Sequence, residues 1–380
     1  ILNNIMDRIK SKKLTIVQVL PALNSGGVER GTLEISKYLI LKNHRSIVIS
    51  QGGRMMDKLI QEGGEHIELP IGKKSLLTLG IIPKLINILI ENKVDVIHIR
   101  SRFPAWICLI AVKLMPKNKI PLLVTTFHGP YSINYYSSIM AKGDAVIAVS
   151  KMIKTYILKN YKIAPNKIFL NYRGVDAKEF PYLFKPKYEW IQEWNKDNPE
   201  TENKTLLTLP ARVTRWKGQI HFLNIIALLK KDNQNIHGLI VGDVAANKLG
   251  FLKELKNIAM KLGIEDKVTF IGHRTDLREI MSISKIVFSL SSEPEAFGRT
   301  TIESLKIGVP VIGYDHGGVG EQLKEVFPQG IIKKNDISAA VSLCKKWIKK
   351  TPKVRKTELF NLETMQTNTL KIYKAVLKNR

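Results

Sequence analysis

The chain alternates short apolar runs with amphipathic stretches of helical period, and it does so in two successive series. This alternation is typical of parallel sheets covered by helices. The strands predicted in the first series are residues 14–20, 45–50, 94–99, 122–126 and 144–149. The strands predicted in the second series are residues 205–210, 236–241, 267–271, 285–290 and 309–313. We therefore predict an α/β protein with two doubly wound domains.

A polar segment that contains three prolines separates the two series. Pro181, Pro186 and Pro199 follow a Gly-containing turn, and prolines at such spacing interrupt regular structure. The length of 380 residues also suits two domains of roughly 150 residues each. We predict an N-terminal domain over residues 1–185, a C-terminal domain over residues 200–352 and a helical tail over residues 353–380.

The composition is strongly basic, with 60 Lys or Arg against 33 Asp or Glu and a net charge of +27. The lysines are spread along the chain, with modest clusters at residues 10–13, 345–350 and 353–356. Part of this excess matches an AT-biased genome, because Lys, Ile and Asn are all abundant. Nucleic-acid binders instead concentrate basic and aromatic residues on one face. We expect no nucleic-acid partner, and an anionic membrane or a phosphate-bearing substrate fits better.

Cysteine usage and hydropathy narrow the class of protein further. The two cysteines, Cys108 and Cys344, are far apart, which excludes a disulfide scaffold and suits a reducing cytoplasm. The longest apolar stretch, residues 105–112, is far shorter than the roughly 20 residues that a membrane span needs. We expect a cytoplasmic protein.

Candidate binding residues follow the predicted strands, because open parallel sheets bind ligands beyond the carboxyl ends of their strands. Gly26 and Gly27 open a helix after the first strand, where amides can approach an anion. An ordinary strand-to-helix turn explains an isolated glycine pair equally well. The pattern is neither a Walker motif nor G-x-G-x-x-G. In the second series, Arg212 and Lys217 follow the first strand and could converge on a phosphate pair.

The most informative segment is residues 291–304, SSEPEAFGRTTIES, which follows an apolar strand and opens a helix. It places amides near Phe297 and Gly298 at a helix N-terminus, beside the carboxylates of Glu295 and Glu303. Two such carboxylates can hold sugar hydroxyls on one side and ribose hydroxyls on the other. A single Glu in the first turn of a helix would indicate no more than stabilisation of the helix dipole.

This constellation resembles the retaining nucleotide-sugar glycosyltransferases of GT-B architecture known as family 4. The resemblance spans roughly residues 14–350 and is strongest to lipopolysaccharide-core and related cell-envelope enzymes of Gram-negative bacteria. It implies two Rossmann-like domains facing a central cleft, the first binding the acceptor and the second the donor. It also implies that the C-terminal helix crosses back to the N-terminal domain. The residues that carry the resemblance are Gly26, Gly27, Arg212, Lys217, Glu295 and Glu303.

The resemblance also implies individual roles. Arg212 and Lys217 would neutralise the donor diphosphate, which aids departure of the nucleoside diphosphate. Glu295 would bind the donor sugar and Glu303 the ribose. His128, at the end of a strand, matches the family histidine near the reacting sugar, so the predicted catalytic residues are His128, Glu295, Arg212 and Lys217. The remaining predicted donor contacts are Gly26, Gly27, Gly242, Asp243, His273, Arg274, Ala296, Phe297, Gly298 and Arg299.

Two departures from the family pattern leave the sugar pocket open. Ala296 stands where glycine is usual, and Ser304 replaces a common alanine. The sequence contains no Asp-x-Asp, the motif through which metal-dependent glycosyltransferases hold Mg²⁺ or Mn²⁺. We therefore expect a metal-independent enzyme without a cofactor.

The expected activity is transfer of a sugar from a nucleoside-diphosphate donor to an acceptor hydroxyl, with retention of configuration. The expected acceptor loops, residues 54–57, 73–79, 100–106 and 131–136, are basic and aromatic. Such loops suit a lipopolysaccharide-core or other phosphate-bearing glycolipid at a membrane face. The charges expected to attract an anionic bilayer are residues 10–13, Lys73, Lys74, Arg100 and Arg102. This predicts a peripheral position at the inner face of the cytoplasmic membrane.

Two alternatives remain open from the sequence. A nucleotide-sugar epimerase of the same architecture would consume the donor without an acceptor. A basic nucleic-acid-binding protein would bind a random oligonucleotide with steep salt dependence and would bind no sugar nucleotide.

Overall fold

The computed structural model describes residues 12–24, 26–232 and 235–379. The chain forms two compact units. The first contains the described residues up to Tyr172 together with the C-terminal segment from Glu363 onward, and the second runs from Arg173 to Leu362. The chain therefore passes from one unit to the other twice.

The predicted boundary at residues 185–200 lies inside the second unit, so this limit differs from the observed division. A helix occupies Tyr188–Asp197 there, and Trp194 on that helix packs in a core cluster with Leu206 and Leu239. The prolines interrupt regular structure as expected, but Trp194 is buried against the second sheet and Trp190 is partly buried beside it. Burial of large aromatic surfaces outweighs the linker-like composition of this segment.

The first unit contains a seven-stranded sheet in which every observed pairing is parallel. The strand order is β3-β2-β1-β4-β5-β6-β7. In the central register, Val17 lies between Ile47 and Ile97, and all three side chains are buried. The strands are β1 (Thr15–Val19), β2 (Arg45–Ser50), β3 (Glu65–Glu68), β4 (Val96–Ile99), β5 (Leu122–Phe127), β6 (Ala145–Ala148) and β7 (Ile168–Leu170).

Helices connect these strands and cover the sheet, as the amphipathic stretches predict. They are α1 (Gly27–Leu41), α2 (Met56–Gln61), α3 (Ile82–Glu91), α4 (Arg102–Leu114), α5 (Tyr135–Ser138) and α6 (Lys151–Asn160).

The second unit repeats the arrangement with six parallel strands. These are β8 (Thr205–Pro210), β9 (Ile236–Val241), β10 (Val268–Gly272), β11 (Ile286–Ser289), β12 (Val311–Tyr314) and β13 (Ile331–Ile332), in the order β10-β9-β8-β11-β12-β13. The helices of this unit are α7 (Tyr188–Asp197), α8 (Gln219–Lys230), α9 (Leu249–Lys261), α10 (Leu277–Ser282), α11 (Arg299–Lys306), α12 (Gly317–Val326) and α13 (Ile337–Lys349). The first six strands of each sheet follow the order 3-2-1-4-5-6, which is the doubly wound order of Rossmann folds, and the first sheet adds β7 at its edge.

The last helix, α14 (Leu362–Lys378), packs against the first unit, which confirms the prediction that it returns to the N-terminal domain. Buried Tyr373 on this helix bonds His98 of β4, with 2.5 Å between Oη and Nδ1. Asn171 donates to the carbonyl of Met365 at 3.0 Å. The predicted tail limit at residue 353 differs, because the segment before α14 belongs to the second unit. None of the helices in the described ranges combines the length and apolar character needed to cross a bilayer.

Candidate active site

The second sheet reverses its strand order between β8 and β11, the point where open α/β sheets bind ligands. The loops that follow these two strands are in contact. Ser292 donates its backbone N–H to the carbonyl of Trp216 at 2.7 Å. Gly218 has φ +82°, and a Cβ there would lie 2.2 Å from the carbonyl oxygen of Leu290. Only glycine allows this close approach, so the two loops are held together at the switch point.

Lys217 and Glu295, predicted from separate motifs, meet at this point. The Nζ of Lys217 lies 2.8 Å from Oε2 of Glu295, and both side chains are mostly buried. Ser291 donates its hydroxyl to Oε1 of the same carboxylate at 2.5 Å. The Lys217 ammonium also lies 4.3 Å from the ring centroid of Trp216. Because both carboxylate oxygens are occupied, Glu295 has one defined orientation.

A third loop, after β12, supports Glu295 from behind. His316 donates through Nε2 to the carbonyl oxygen of Ser291 at 2.7 Å. The backbone N–H of Gly318 donates to the carbonyl of Glu295 at 2.8 Å. Gly317 has φ +58°, and a Cβ there would lie 2.6 Å from that same carbonyl oxygen. Three strand-end loops therefore converge on Glu295, two at its carboxylate and the third at its backbone.

The N-terminus of α11 lies at the end of the same loop. Gly298 precedes the helix with φ +80°, and the first amides of a helix have no partner within it. Arg299 donates through Nε to Oε1 of buried Glu303 at 2.7 Å, one helical turn further on. The buried Gln322 side chain donates to the carbonyl of Phe297. This terminus places helix N-terminal amides, a kind of site that favours anions, beside a second oriented carboxylate.

Arg212 lies in the loop after β8, with an exposed side chain. Within the described ranges, no hydrogen bond or ion pair engages its guanidinium. Its backbone packs against the end of β9, where a Cβ on Gly242 would lie 2.1 Å from the carbonyl oxygen of Ala211. Val213 donates to the carbonyl of Asp243 at 3.0 Å, while the side chain of Asp243 is exposed. Arg212 is thus available to a ligand.

Arg274 has a structural partner. Its Nε and Nη2 donate to the two carboxylate oxygens of Asp276 at 2.8 and 2.6 Å, and Trp190 adds a hydrogen bond at 2.8 Å. Burial by itself raises the pKa of Asp276, but the hydrogen bonds from Arg274 and Trp190 outweigh it and lower that pKa. The Arg274 side chain therefore braces its loop, and the predicted donor contacts of His273 and Arg274 stay predictions.

Three of the predicted site residues belong to the first unit. Gly26 precedes α1 with φ +138°, and Gly27 is the first residue of that helix. His128 follows β5, is half-buried, and donates its backbone N–H to the hydroxyl of Tyr131 at 3.4 Å. The contacts described above unite Lys217 with Glu295 and Arg299 with Glu303, all within the second unit. The roles of Gly26, Gly27 and His128 stay predictions.

The prediction that Arg100 attracts a membrane is wrong, because this residue is buried. Arg100 is only 3% exposed, and its Nε and Nη2 donate to Oε1 of Gln18 at 3.0 and 2.6 Å. Burial lowers its pKa to about 10. Arg100 directly follows the buried strand β4, and its side chain is buried at the carboxyl end of the sheet. Lys10 of the expected 10–13 cluster lies outside the described residues.

Sequence reasoning assigned no role to Ser291, His316, Gly317 or Gly318. Ser291 was part of the motif that contains Glu295, and His316 was visible only as a histidine at a strand end. A His-Gly-Gly run that begins three residues after the predicted strand 309–313 was the available signal, because paired glycines there allow close backbone approach.

Comparison with known proteins identifies the family. The model described as Glycosyltransferase Family 4 matches residues 25–179, and that described as Glycosyl transferases group 1 matches residues 191–358. A glycosyltransferase from Rickettsia africae is 33% identical, with a TM-score of 0.85 over 97% of this chain and 100% of that one. The chain belongs to the group 1, family 4 glycosyltransferases. The two parallel-sheet units, together with these similar structures, establish the GT-B fold of the glycosyltransferase.

Two curated relatives are more distant. N-acetyl-alpha-D-glucosaminyl L-malate synthase of Bacillus anthracis is 25% identical over 80% of this chain and 79% of its own length. The lipopolysaccharide core biosynthesis mannosyltransferase LpsB of Rhizobium meliloti is 25% identical over 60% of this chain and 65% of its own length. The chain is therefore a glycosyltransferase, and the names of its relatives cover unlike acceptors.

The side chains that could hold a metal are sparse. Across the described ranges, no group of three or more His, Cys, Asp or Glu residues is arranged to bind a metal ion. Metal independence of the glycosyltransferase stays a prediction.

Proposed function

We propose that the glycosyltransferase moves a sugar from a nucleoside-diphosphate donor to an acceptor hydroxyl, with retention at the anomeric carbon and without a metal ion. The observation that carries the proposal is the ion pair of Lys217 and Glu295 at the switch point of the second sheet. A lysine ammonium has three N–H donors, and Glu295 accepts one of them. The others remain for oxygens of a diphosphate.

In the proposed step, the bond between the anomeric carbon and the terminal phosphate oxygen breaks, and its electron pair leaves with the nucleoside diphosphate. Lys217 and Arg212 stabilise the charge that develops on the leaving phosphate. The acceptor oxygen bonds to the anomeric carbon on the same face, and its proton passes to the leaving phosphate oxygen. This route retains configuration and assigns no carboxylate as a nucleophile.

The two oriented carboxylates suit different parts of the donor. Glu295, held by Lys217 and Ser291, accepts hydrogen bonds from hydroxyls of the donor sugar. Glu303, held by Arg299, accepts hydrogen bonds from the ribose. The amides at the N-terminus of α11 face the phosphates, where the helix dipole favours negative charge.

For the acceptor, we propose a lipopolysaccharide-core or other membrane-associated glycolipid, which the enzyme would reach as a peripheral protein at the inner face of the cytoplasmic membrane. The basic and aromatic loops of the first unit and the lipopolysaccharide mannosyltransferase relative support this choice. The name of the malate synthase relative points to a small acid instead. Malate and a lipid-linked glycan should therefore be compared as acceptors.

The decisive experiment begins with thermal shifts against UDP, GDP, ADP and their sugars. A ligand at one hundred times its Kd stabilises a protein by about 2.7 kcal/mol, so the preferred nucleotide should raise the Tm measurably. Lys217→Ala should lose this stabilisation, whereas Lys248→Ala, an exposed lysine of the same unit, should keep it. Absence of any shift, or conversion of the sugar nucleotide when no acceptor is present, would contradict the proposal. The second outcome is what an epimerase predicts.

A further inference from the structure

A surface of the first unit exposes large apolar side chains among lysines. It consists of residues 73–79 and 131–136, and we call it the apolar–basic surface. Leu77 is 87% exposed, Leu79 43%, Ile133 64% and Tyr135 80%. Single exposed apolar residues are common on proteins, but a group of them marks an interaction site.

The segment at residues 73–79 is ordered by its own hydrogen bonds. The buried Thr78 donates its hydroxyl to the carbonyl of Lys73 at 2.6 Å. Ser75 accepts from the backbone N–H of Leu77 at 3.2 Å. The turn is closed by these polar contacts, so Leu77 and Leu79 face solvent on a defined backbone.

The segment at residues 131–136 is anchored by aromatic side chains of neighbouring helices and loops. The hydroxyl of Tyr161 lies 3.3 Å from the carbonyl of Tyr131 and 3.2 Å from that of Ser132. The ring of Trp106 lies 5.2 Å from the ring of Tyr135. These aromatic side chains fix the backbone of the segment, and Ile133 faces solvent on it.

Cations join the two segments into one surface. The Lys74 ammonium lies 6.0 Å from the ring centroid of Tyr136. The Arg102 guanidinium lies 5.0 Å from the ring of Tyr131 and 5.4 Å from that of Tyr136. These contacts connect the first segment, the start of α4 and the second segment.

The charge of this region has a single sign. The sequence contains no Asp or Glu between Glu68 and Glu91, or between Asp95 and Asp144, whereas the two stretches hold eight Lys or Arg besides the buried Arg100. Exposed aliphatic and tyrosine side chains beside lysines, with no acidic residue among them, match the chemistry of an anionic lipid interface.

We propose that the apolar–basic surface contacts an anionic lipid bilayer. Leu77, Leu79 and Ile133 enter the boundary between headgroups and acyl chains, Tyr135 lies at headgroup level, and the lysines meet lipid phosphates. The inference deepens the proposed function and rests on it for the lipid-linked acceptor, since it gives the membrane a defined face of the first unit. Vesicle binding itself is measured without any sugar transfer.

The test is co-sedimentation of the full chain with phosphatidylcholine vesicles, with and without phosphatidylglycerol. The chain should bind the anionic vesicles, and binding should weaken as salt rises. The variant Leu77→Ser/Ile133→Ser/Tyr135→Ser should lower the partition coefficient by roughly tenfold or more, because three apolar groups lose their burial in lipid.

Residues of the second unit provide matched controls for the loss of charge and for the loss of exposed apolar side chains. Lys73→Gln/Lys74→Gln should lower the partition coefficient by roughly tenfold on anionic vesicles, since each lysine near such a surface contributes to binding. Lys349→Gln/Lys350→Gln removes as much charge from α13 and the residue after it and should change binding little. Leu249→Ser/Met260→Ser removes side chains that are 59% and 56% exposed on α9 and should also change it little.

Equal vesicle binding by the surface variant and the unmodified chain would overturn the inference, and so would equal losses in the control variants. No binding by the unmodified chain would overturn it too. Thermal shifts with nucleotides on the same samples separate the two proposals. A nucleotide shift without vesicle binding removes the membrane surface alone, and vesicle binding without any nucleotide shift removes the proposed donor chemistry alone. Retained nucleotide shifts in the surface variant also show that it is folded.

Discussion

The first six strands of the two sheets have the same order, yet the side chains at their switch points form different kinds of contact. In the first unit, Arg100 follows β4 and is buried against Gln18 of β1. In the second unit, the loop after β11 carries Glu295, which pairs with Lys217 from the loop after β8. Identical topology thus supports an internal polar contact in one unit and a partly accessible ion pair in the other. Loops, rather than strand order, determine the chemistry of each unit.

The difference also separates stability from activity. A buried cation that bonds a neutral amide stabilises the carboxyl end of the two central strands. An ion pair at a strand end, beside an exposed Arg212, is positioned to bind one. The following four experiments challenge this contrast, beginning with the largest expected effect.

Removal of the ammonium at the second switch point should reduce activity most. We expect Lys217→Ala to lower sugar-transfer turnover by roughly 10²–10³-fold, about 3–4 kcal/mol, because one donor to developing charge is lost. Lys217→Arg should give an intermediate rate, since it keeps charge but changes geometry. Steady-state kinetics with the preferred donor measure this. Lys248→Ala serves as control, and turnover of Lys217→Ala within a few-fold of the unmodified enzyme would refute the assignment.

Removal of the cation at the first switch point should affect stability instead. Arg100→Ala should cost about 3 kcal/mol, since it leaves a cavity and an unpaired Gln18 oxygen. Hydrogen exchange of the β1 and β4 amides measures this locally. Arg215→Ala, which breaks an exposed ion pair with Glu254, should cost far less. Gln18→Leu/Arg100→Leu should recover part of the loss. Unchanged exchange in Arg100→Ala would show that the buried contact contributes nothing.

The hydroxyl that orients Glu295 should have a moderate effect. Ser291→Ala should reduce kcat/KM for the donor by roughly tenfold, because a hydrogen bond to a charged group contributes about 1.5 kcal/mol. Ser291→Thr should restore most of the rate, since it retains the hydroxyl. Ser342→Ala, on the exposed face of α13, is the control. If Ser291→Thr were as slow as Ser291→Ala, Ser291 would act through packing and not by positioning Glu295.

Protonation of buried histidines should have the smallest effect on stability, and it should occur in both units. Burial lowers the pKa of His237 below 6.5 in the second unit, and burial likewise lowers the pKa of His44 and His66 in the first. As pH falls below about 6.5, the unfolded chain binds protons before the folded chain does, so stability decreases. His237→Gln should reduce the fall in Tm between roughly pH 7.5 and 5.5 by about 2 °C. An equal or steeper fall in the variant would contradict this sign.

Most central strands could be predicted from the sequence to within about two residues. β2, β8 and β9 match the predicted limits. The strands that were missed, β3, β7 and β13, lie at sheet edges. β13 has two residues and β7 three, while β3 reads Glu-His-Ile-Glu. An edge strand is less buried than a central one, so it lacks the continuous apolar run on which the prediction depended.

The candidate site was predictable only in part. Glu295, Glu303 and Lys217 stood out because charged residues follow apolar strands at recognisable spacing. The partner of each charge did not stand out. The Arg274 guanidinium bonds the Asp276 carboxylate, and the Glu295 carboxylate accepts from both Ser291 and Lys217. Partner choice depends on loops brought together by the sheet, which a local pattern does not record.

The sequence by itself determined two parallel sheets and the strand ends at which charged residues cluster, because periodicity and burial are local properties of a chain. Only the tertiary structure decided which charges are buried, paired or exposed. Arg100 illustrates the reason: its partner Gln18 is 82 residues away in sequence. The apolar–basic surface has the same origin, since Lys74 and Tyr136 become neighbours only when the strands that precede them align in one sheet.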